Sequence, residues 1–580
     1  MSLPSEIWRQ IFHLAADEDE IFRYELPISL DTSTWTRNTL KDKLPQSDIQ
    51  DWTLKTPSDN LNALQRRSYA TKKAIISTCK SWLQIGSELL FRCLFFNDAS
   101  KLLSLCNVLD SSSSAASTVS SSLGWWTRRI HMARFHASEL RGTTMADLED
   151  ALVSVIRHCP NLEIFIVDWP MGESFGPVAD ALATYAVKSL RVVHWHVPSN
   201  ALSKVIWALS ALPFIIACHI HFGSSTPDDE DSTDSHLGAA SHVNLSLPHL
   251  QQLFLRGHCQ EFVEQAAGWS IPLLKNLTFD CGSLRTDMPD IVAFLKTHGA
   301  QLYFLDINCI PPFDVRAILD LCPMLSAFCF NADWRVQQPG EEIPAPFSIT
   351  MAHATDIPMM SKLVNNPHPN ISMIGLHGLM YAFGVGVAAE VATNEPLMAH
   401  IIRSSNDLNV TALNRHNFPK LQFVRAVSWQ MLSELNEADG PSEEDGGMMR
   451  YDKWWDILTR AGIQLEDCTG QPLGTLPMDE SEEYDSDEEE SDESDDEEEY
   501  EDEEDDEDED SDEYEDSDEY EDDDTEWEFD IPPMPQEGGG NVDELRQLLE
   551  ECRAMAEGRE EPMFPPMTFG EMTPMGRYGM

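Results

Sequence analysis

Basic side chains are scarce in this 580-residue sequence, which has 39 Lys and Arg against 100 Asp and Glu and a formal net charge of −61. Residues 479–530 contain 39 of the acids and no Lys or Arg, which leaves −22 for the rest of the chain. Such a negative chain repels the phosphates of nucleic acids. The composition therefore argues against a nucleic-acid partner.

Signals for secretion, zinc binding and membrane insertion are also missing. None of the 12 cysteines belongs to a Cys-x-x-Cys pair, and the N-terminus lacks a basic segment followed by an apolar run. The most apolar window, residues 373–389, contains His377 and four glycines and falls short of the roughly 20 residues that span a bilayer. We interpret it as a buried helix. We expect reduced thiols, no membrane association and a cytoplasmic or nuclear location.

Motifs for phosphate, dinucleotide and metal chemistry are likewise missing. The sequence has no Gly-x-x-x-x-Gly-Lys loop and no His-Glu-x-x-His pair. Phe383-Gly384-Val385-Gly386 lacks the third glycine of a dinucleotide-binding turn. We therefore expect a non-enzymatic protein with no cofactor, no metal and no catalytic residues.

What the sequence does contain is a recurring strand signature, Leu-x-x-apolar-x-apolar. Its clearest copy occupies residues 248–255 and begins at Leu250. Related copies begin at Leu162, Leu190, Ile215, Leu274, Leu302, Leu325, Ile371 and Leu421. Five intervals between starts are 28, 25, 24, 28 and 23 residues, which is typical of leucine-rich repeats that combine one strand with one return helix. Because one unit cannot bury its own apolar face, the copies predict an α/β solenoid that acts as a binding scaffold.

Helical patterns lie between these strands. The apolar positions are Leu148, Leu152, Val155 and Ile156 after a Thr144 cap, then Ile291, Phe294 and Leu295, then Val315, Ile318 and Leu319. A strand at 128–134 is predicted to begin the array, and the intervals 325–371 and 371–421 each predict two irregular units. Residues 448–461 predict a last helix that is followed by a short closing strand, which together cap the solenoid.

The N-terminus carries a more specific pattern. Residues 3–15 predict an amphipathic helix, and a Cys-x-x-Trp element follows at Cys79 and Trp82. This combination resembles an F-box, and with the repeats it is similar to F-box proteins of basidiomycete fungi. Residues 17–62 depart from the compact family pattern as a polar insertion, which leaves open whether the three F-box helices pack in the usual way.

The resemblance implies a function through other proteins. It implies binding to a Skp-type adaptor, and through it to a cullin-RING ubiquitin ligase, by Leu3, Pro4, Ile7, Ile11, Phe12, Leu14, Cys79 and Trp82. The repeat domain would then present a protein substrate of unknown identity. The expected fold class is α/β, with an N-terminal helical F-box, an irregular leucine-rich-repeat solenoid and a disordered acidic C-terminal tail.

These signals divide the chain into segments. We expect an F-box-like helical domain at 1–98 with its insertion at 17–62, a Ser-rich linker at 99–127, the solenoid with its cap at 128–470, a disordered acidic tail at 471–540, an amphipathic helix at 541–559 and a disordered end at 560–580.

Side chains between the apolar positions of each strand are predicted to form the concave sheet surface. The substrate-binding candidates among them are His194, His196, His219, His221, Phe254, Arg256, Asp280 and Asp306, with Ile166, Asp168, Thr278, Asn308, Cys329 and Asn331 on the same surface. Four imidazoles on neighbouring strands could bind zinc, although we favour a polar contact surface. Binding by the helices or loops instead stays open.

The acidic tail supports an alternative function. A non-enzymatic scaffold could bind basic, histone-like proteins through residues 479–530, with residues 1–98 merely capping the solenoid. Casein kinase II-type phosphorylation at serines such as Ser486 and Ser494 would add little to a charge of −39. Residues 541–559 predict a separate amphipathic helix that either is marginal or docks to a partner or to the solenoid.

Overall fold

The computed structural model describes residues 3–37, 52–96, 101–115, 122–133, 144–172, 175–223, 238–282, 290–309, 314–333 and 363–477. The strands are β1 (Thr34–Arg37), β2 (Trp52–Lys55), β3 (Cys93–Phe96), β4 (Arg129–Met132), β5 (Ile164–Pro170), β6 (Val192–Pro198), β7 (Ala217–Gly223), β8 (Gln252–Gly257), β9 (Asn276–Gly282), β10 (Phe304–Cys309), β11 (Ala327–Asn331), β12 (Met373–His377), β13 (Phe423–Ala426) and β14 (Gln464–Glu466).

Helices alternate with most of these strands. They are α1 (Ser5–Ala15), α2 (Glu18–Ile21), α3 (Pro57–Thr78), α4 (Lys80–Arg92), α5 (Lys101–Ala115), α6 (Met145–His158), α7 (Phe175–Tyr185), α8 (Leu202–Ala211), α9 (Gln260–Ala266), α10 (Ile291–His298), α11 (Val315–Leu321), α12 (Met380–Phe383), α13 (Val387–Asn394), α14 (Pro396–Ala412), α15 (Trp429–Glu437) and α16 (Gly447–Arg460). The mixed α/β class predicted from the sequence is confirmed.

Twelve strands form one parallel sheet in the order of the chain, from β3 at one edge to β14 at the other. Strands β1 and β2 form a separate antiparallel pair. Alternate side chains of the long sheet point into a continuous apolar core that includes the buried residues of the helices. The remaining strand positions form the other side of the sheet, which we call the open face.

The leucine that leads each repeat explains the regular stacking. The nine predicted lead residues, from Leu162 to Leu421, are at most 1% exposed, and each precedes its strand by two residues. Between several of these strands, as between β5 and β6 or β9 and β10, one helix returns the chain to the start of the next strand. Thr144 caps α6 with a capping box, and Asp290 and Asp314 cap α10 and α11 through their side chains. The helices predicted from the apolar spacing are confirmed.

Strand pairing corrects two details of the repeat array. Strand β11 pairs directly with β12, and β12 pairs directly with β13, so the prediction of two units in each of the intervals 325–371 and 371–421 is wrong. In the second interval the extra length forms α12, α13 and α14 instead of another strand. The window 373–389, expected to be one buried helix, contains β12, α12 and the start of α13.

The boundary between the N-terminal helices and the sheet also differs from expectation. Within the predicted linker 99–127, α5 buries Leu102, Leu105 and Leu109, although its C-terminal end is rich in serine. Strand β3, which lies inside the expected F-box segment, forms the first edge of the long sheet. Apolar residues spaced three and four apart explain why this segment packs as a helix.

At the other edge, α16 and β14 close the array, as the sequence predicts. Trp454 and Leu458 of α16 are buried in the core. The acidic tail 479–530 and the predicted helix 541–559 lie outside the described residues.

Candidate functional site

Helix α1 has two apolar faces. Trp8, Phe12 and Ala16 pack against Ile75 of α3 and against Leu89 of α4, with Trp82 and Ile85 alongside. Because a helix turns about 100° per residue, Ile7 and Leu14 lie on the opposite side from Phe12, with Ile11 at the edge of the same surface. Leu3 directly precedes the N-cap residue Pro4. An ordinary surface helix has only one apolar face, the one that packs against the rest of the protein.

The second face of α1 is open to solvent. Leu3 is 48% exposed, Ile7 and Ile11 are each 40% exposed, and Leu14 is 71% exposed. We call these four residues the α1 stripe. Single exposed aliphatic side chains are common on protein surfaces, whereas four within twelve residues at one helix are unusual and make this surface a candidate binding site.

The other predicted adaptor-binding residues surround or support the α1 stripe. Pro4 is exposed at the N-cap of α1, and Cys79 is exposed at the junction of α3 and α4. Phe12 is buried, and its ring lies 5.0 Å from the half-buried ring of Trp82. Trp82 and Phe12 therefore hold α1 in place, while the α1 stripe, Pro4 and Cys79 face outward.

A buried charge cluster fixes the corner between α1 and α2. Glu18, only 3% exposed, lies 3.0 Å from Lys72 Nζ of α3 and 2.9 Å from Arg92 Nη1 of α4, and His13 Nδ1 also bonds to its carboxylate. Burial acts to raise the pKa of Glu18, but the His13 hydrogen bond and the Lys72 and Arg92 charges outweigh it and lower that pKa. The ionised carboxylate thus joins α2 to α1, α3 and α4.

The open face of the sheet carries the second candidate site. Its predicted residues lie side by side: His194 is paired in register with His219, His219 with Phe254, and Phe254 with Thr278. Farther along the same strands, His196 pairs with His221, and His221 pairs with Arg256. The predicted common surface is therefore correct in its placement.

An extended segment of the chain itself crosses this face. Residues 22–33, which we call the strap, follow α2 and run from β4 to the turn beyond β14. Arg129 donates to Ile21 O, the side chain of Gln252 bonds to both the N–H and the carbonyl oxygen of Leu26, and Arg425 donates to Leu30 O. Ser33 N then donates to Cys468 O.

The strap covers mainly the first positions of the strands. Phe22, Tyr24 and Leu26 pack against an apolar group of open-face residues, and Ile28 and Leu30 pack against a second one. Those two groups are Ile164, Ile166, Val192 and Ala217, and Phe304, Cys329, Val427, Ala327 and Met373. The chain itself therefore covers part of the surface that was assigned to a substrate.

The four histidines form two stacked ring pairs. The ring centroids of His194 and His219 lie 3.9 Å apart with 7° between the planes, and those of His196 and His221 lie 4.0 Å apart at 13°. The Phe254 ring lies 3.8 Å from that of His219. Parallel stacked rings direct their nitrogens side by side and not toward one point. Across the part of the chain that the structure describes, no group of His, Cys, Asp and Glu has metal-site geometry.

Burial favours the neutral form of His194 and His219. It lowers the pKa of His194, and burial together with the neighbouring His194 and Arg256 lowers the pKa of His219 well below 6.5. Burial also lowers the pKa of His131 to about 4. Asp168 lies 3.2 Å from His194 Nδ1 and 3.6 Å from His131 Nε2. Burial acts to raise the pKa of Asp168, but the adjacent His131 and His194 rings outweigh burial and lower it.

Asp306 connects the strap to the far side of the open face. It accepts hydrogen bonds from Ser29 of the strap and, at 2.8 Å, from His377 Nε2. Burial acts to lower the pKa of His377, but the charge and hydrogen bond of Asp306 outweigh burial and raise it. The carboxylate lies between the hydroxyl and the imidazole, so His377 is not placed to take a proton from Ser29.

Arg256 is the most exposed of the predicted substrate-binding side chains, at 52%, and its Nε lies 3.3 Å from Asp280 Oδ2. Burial raises the pKa of Asp280, although the Arg256 charge opposes this. Asn308 donates to Asp280, and Asn331 donates to Asn308, each at 3.2 Å. A line of hydrogen-bonded polar groups thus extends from β8 to β11.

One sequence motif has the spacing of a nucleophile elbow. Residues 172–176 read Gly-Glu-Ser-Phe-Gly, and they connect β5 to α7 as that motif requires. Ser174 lies outside the described residues, so no base or oxyanion partner is assigned to it. The motif supports no catalytic assignment.

The strap is the feature that the sequence interpretation missed. Residues 17–62 are a polar insertion in that interpretation, yet Phe22, Tyr24, Leu26, Ile28 and Leu30 alternate with polar or proline residues in the period of an extended strand. That alternation was the available signal.

Comparison with known proteins adds no family. No protein-family model matches the chain, and a search of curated proteins finds no match. Among the described residues, no helix is both long and apolar enough to cross a membrane.

Proposed function

We propose that this protein is the substrate-recognition subunit of a Skp-cullin-F-box ubiquitin ligase. The α1 stripe binds a Skp-type adaptor, and the repeat domain binds a protein substrate. The observation that carries the proposal is the second, solvent-exposed apolar face of α1.

The helices around the α1 stripe support this proposal. Helices α1, α3 and α4 pack around Phe12, Ile75 and Leu89 despite the insertion between α1 and α3. In this reading the three helices form the F-box, and the insertion contributes the strap and the β1–β2 pair. Full burial of an exposed aliphatic side chain contributes about 1.5–3 kcal/mol, and an adaptor that covers these four, which are 40–71% exposed, would gain a fraction of that from each.

The long sheet supports the second half of the proposal. A parallel sheet whose strands follow the order of the chain, nine of them preceded by a buried leucine or isoleucine, supports an irregular leucine-rich-repeat solenoid. Such a scaffold offers a rigid and extended surface to a protein partner. In this proposal the chain has no catalytic residue of its own. It acts by placing a bound protein near the ubiquitin-loaded enzyme of the complex.

Co-purification with a Skp-type adaptor tests the proposal. Full-length chain should retain the adaptor, and the double variant Ile7→Asp/Ile11→Asp should lose it because two carboxylates would have to be buried unpaired. Leu397→Asp/Ile401→Asp is a matched control, since these exposed residues have the same spacing on α14 and are 48% and 39% exposed. Equally poor recovery of the adaptor by wild type and by the α1 variant would contradict the proposal.

A further inference from the structure

The strap leaves one band of the open face uncovered. Its contacts at β8 are with Gln252, at the first position of the strand, whereas Arg256 lies four residues farther on, a distance of roughly 13 Å along a strand. His196 and His221 are at the same level as Arg256 on the two preceding strands. A partner therefore meets the carboxyl-terminal half of these strands and not the half beneath the strap.

Arg256 is the one exposed cation of this face among the residues that the structure describes. The other two arginines of the open face, Arg129 and Arg425, are buried, and each donates to a backbone oxygen at Ile21 or Leu30. Gly257 follows Arg256 with a φ of 83°, and a side chain there would collide with the carbonyl of Phe222. The chain thus turns sharply after Arg256 and leaves its guanidinium at the rim of the sheet.

Apolar surface lies directly beside this cation. Phe254 is half-buried and precedes Arg256 by two residues, so the two side chains share the face and lie about 7 Å apart along the strand. The ring of Phe254 extends the stack of His194 and His219. Tyr24, Leu26 and Ile28 of the strap are also only half-buried.

We propose that this surface binds an extended segment of the partner protein in which an aromatic or aliphatic residue lies next to an acidic one. The apolar side chain packs on Phe254 and the stacked imidazoles, and the carboxylate pairs with the outward-facing guanidinium of Arg256. The inference rests on the proposed function and specifies the class of substrate segment. The strap provides the precedent, because it is an extended peptide that this face already holds through alternate apolar side chains.

The charges of this surface argue against a basic partner segment. A basic side chain placed here would meet Arg256, while Asp280 already pairs with Arg256 and Asp306 already pairs with His377. The rings of His194 and His219 are buried, which lowers the pKa of each, so these two side chains add no competing charge. Arginine also suits a carboxylate better than lysine does, because its two Nη groups bind both oxygens at once.

A random dodecapeptide library displayed on phage and selected on the full-length chain at 0.15 M salt provides the test. Selected peptides should be enriched in Asp or Glu within two residues of an aromatic or aliphatic residue. Synthetic copies should bind the Arg256→Gln variant at least about tenfold more weakly by fluorescence anisotropy, which corresponds to the loss of one charge-assisted hydrogen bond. Arg256→Lys should retain part of the affinity, and Phe254→Ser should also weaken binding.

Lys204→Gln serves as the matched control, since Lys204 is exposed on α8, away from the open face. The Lys204→Gln variant should bind the selected peptides with the same affinity as wild type. Selection of basic peptides, or of peptides whose affinity is unchanged by Arg256→Gln, would overturn the inference. Co-purification with the adaptor separates this inference from the proposed function. The Arg256→Gln variant should retain the adaptor as well as wild type does. Failure of the wild-type chain to bind the adaptor would overturn the proposed function alone.

Discussion

Glu18 shows how single buried charges set the geometry of the N-terminal helices. Its carboxylate is almost fully buried, and so is Lys72 at 1% exposure. Removing one member of such a pair leaves the other charge in the protein interior without compensation. The position of α1, and with it the α1 stripe, therefore depends on this contact between α2, α3 and α4.

Replacing this carboxylate tests that dependence. Glu18→Gln should lower the free energy of unfolding by about 3–5 kcal/mol in urea denaturation, because Lys72 and Arg92 stay buried without their partner. Asp456→Asn, which breaks an exposed pair with Arg460, should change it by less than about 0.5 kcal/mol. Equal effects of the two substitutions would show that the buried cluster does not hold the helices.

Two histidines of the open face, His219 and His377, should have pKa values shifted in opposite directions. His219, with a lowered pKa, is neutral in the folded protein, so its contribution to stability is lost as the pH falls below the unfolded value of about 6.5. His377, with a raised pKa, contributes stability below about 6.5 that is lost as the pH rises through its folded pKa. NMR titration of the ring carbons should give a higher pKa for His377 than for His219. The reverse order of the two pKa values would contradict the assigned environments.

At the scale of elements, the strap explains why the sheet and the N-terminal helices belong to one compact unit. It begins where α2 ends and contacts open-face residues from β4 to β13. Its apolar side chains exclude water from the first positions of the strands. The strap should therefore stabilise the whole repeat array and not only its own neighbourhood.

Truncating one strap side chain measures that contribution. Leu30 is 8% exposed, and Leu30→Ala should lower the free energy of unfolding by about 2–4 kcal/mol. Leu14→Ala, which makes the same change on the exposed α1 stripe, should have an effect near zero in the absence of an adaptor. Urea denaturation of both variants compares the two directly, and an equally small effect at Leu30 would show that the strap is only loosely attached.

The elements differ in how far they can be read from the sequence. The strands after Leu190 or Leu274 follow from local spacing, because one buried leucine and two apolar positions suffice to define a unit. The strap depends instead on Gln252 and Arg425, which lie 226 and 395 residues away from their strap partners. The extra unit expected after Ile371 was wrong because the length of an interval does not distinguish a second strand from inserted helices. The one expected after Leu325 is excluded by the direct pairing of β11 with β12.

In the candidate site too, some features follow from local sequence patterns and others depend on distant residues. Alternation along a strand correctly placed His194, His219, Phe254 and Arg256 on one face, since a strand has a fixed period of two. The stacking of the histidines and the exposure of Arg256 depend on register and on the strap, which local patterns do not encode. The α1 stripe was predicted as contact residues, and the structure adds that its side chains are exposed.

For the whole molecule, the acidic segment 479–530 separates the two proposed functions. Deleting it removes −39 from a formal charge of −61. Under the ubiquitin-ligase proposal the deleted protein should bind the adaptor as well as full-length chain does. Binding to a basic protein such as a histone should disappear with the segment and weaken with salt. Loss of adaptor binding upon deletion would favour the acidic-scaffold alternative.

Hydrogen–deuterium exchange of the full-length chain with and without a Skp-type adaptor tests the central claim most directly. The adaptor should slow exchange in residues 3–16 and around Cys79, because the α1 stripe becomes buried and α1 is fixed. Exchange in the strands around Arg256 should stay unchanged, which leaves the open face available to a substrate. No protection of α1, or protection confined to the open face, would contradict the account.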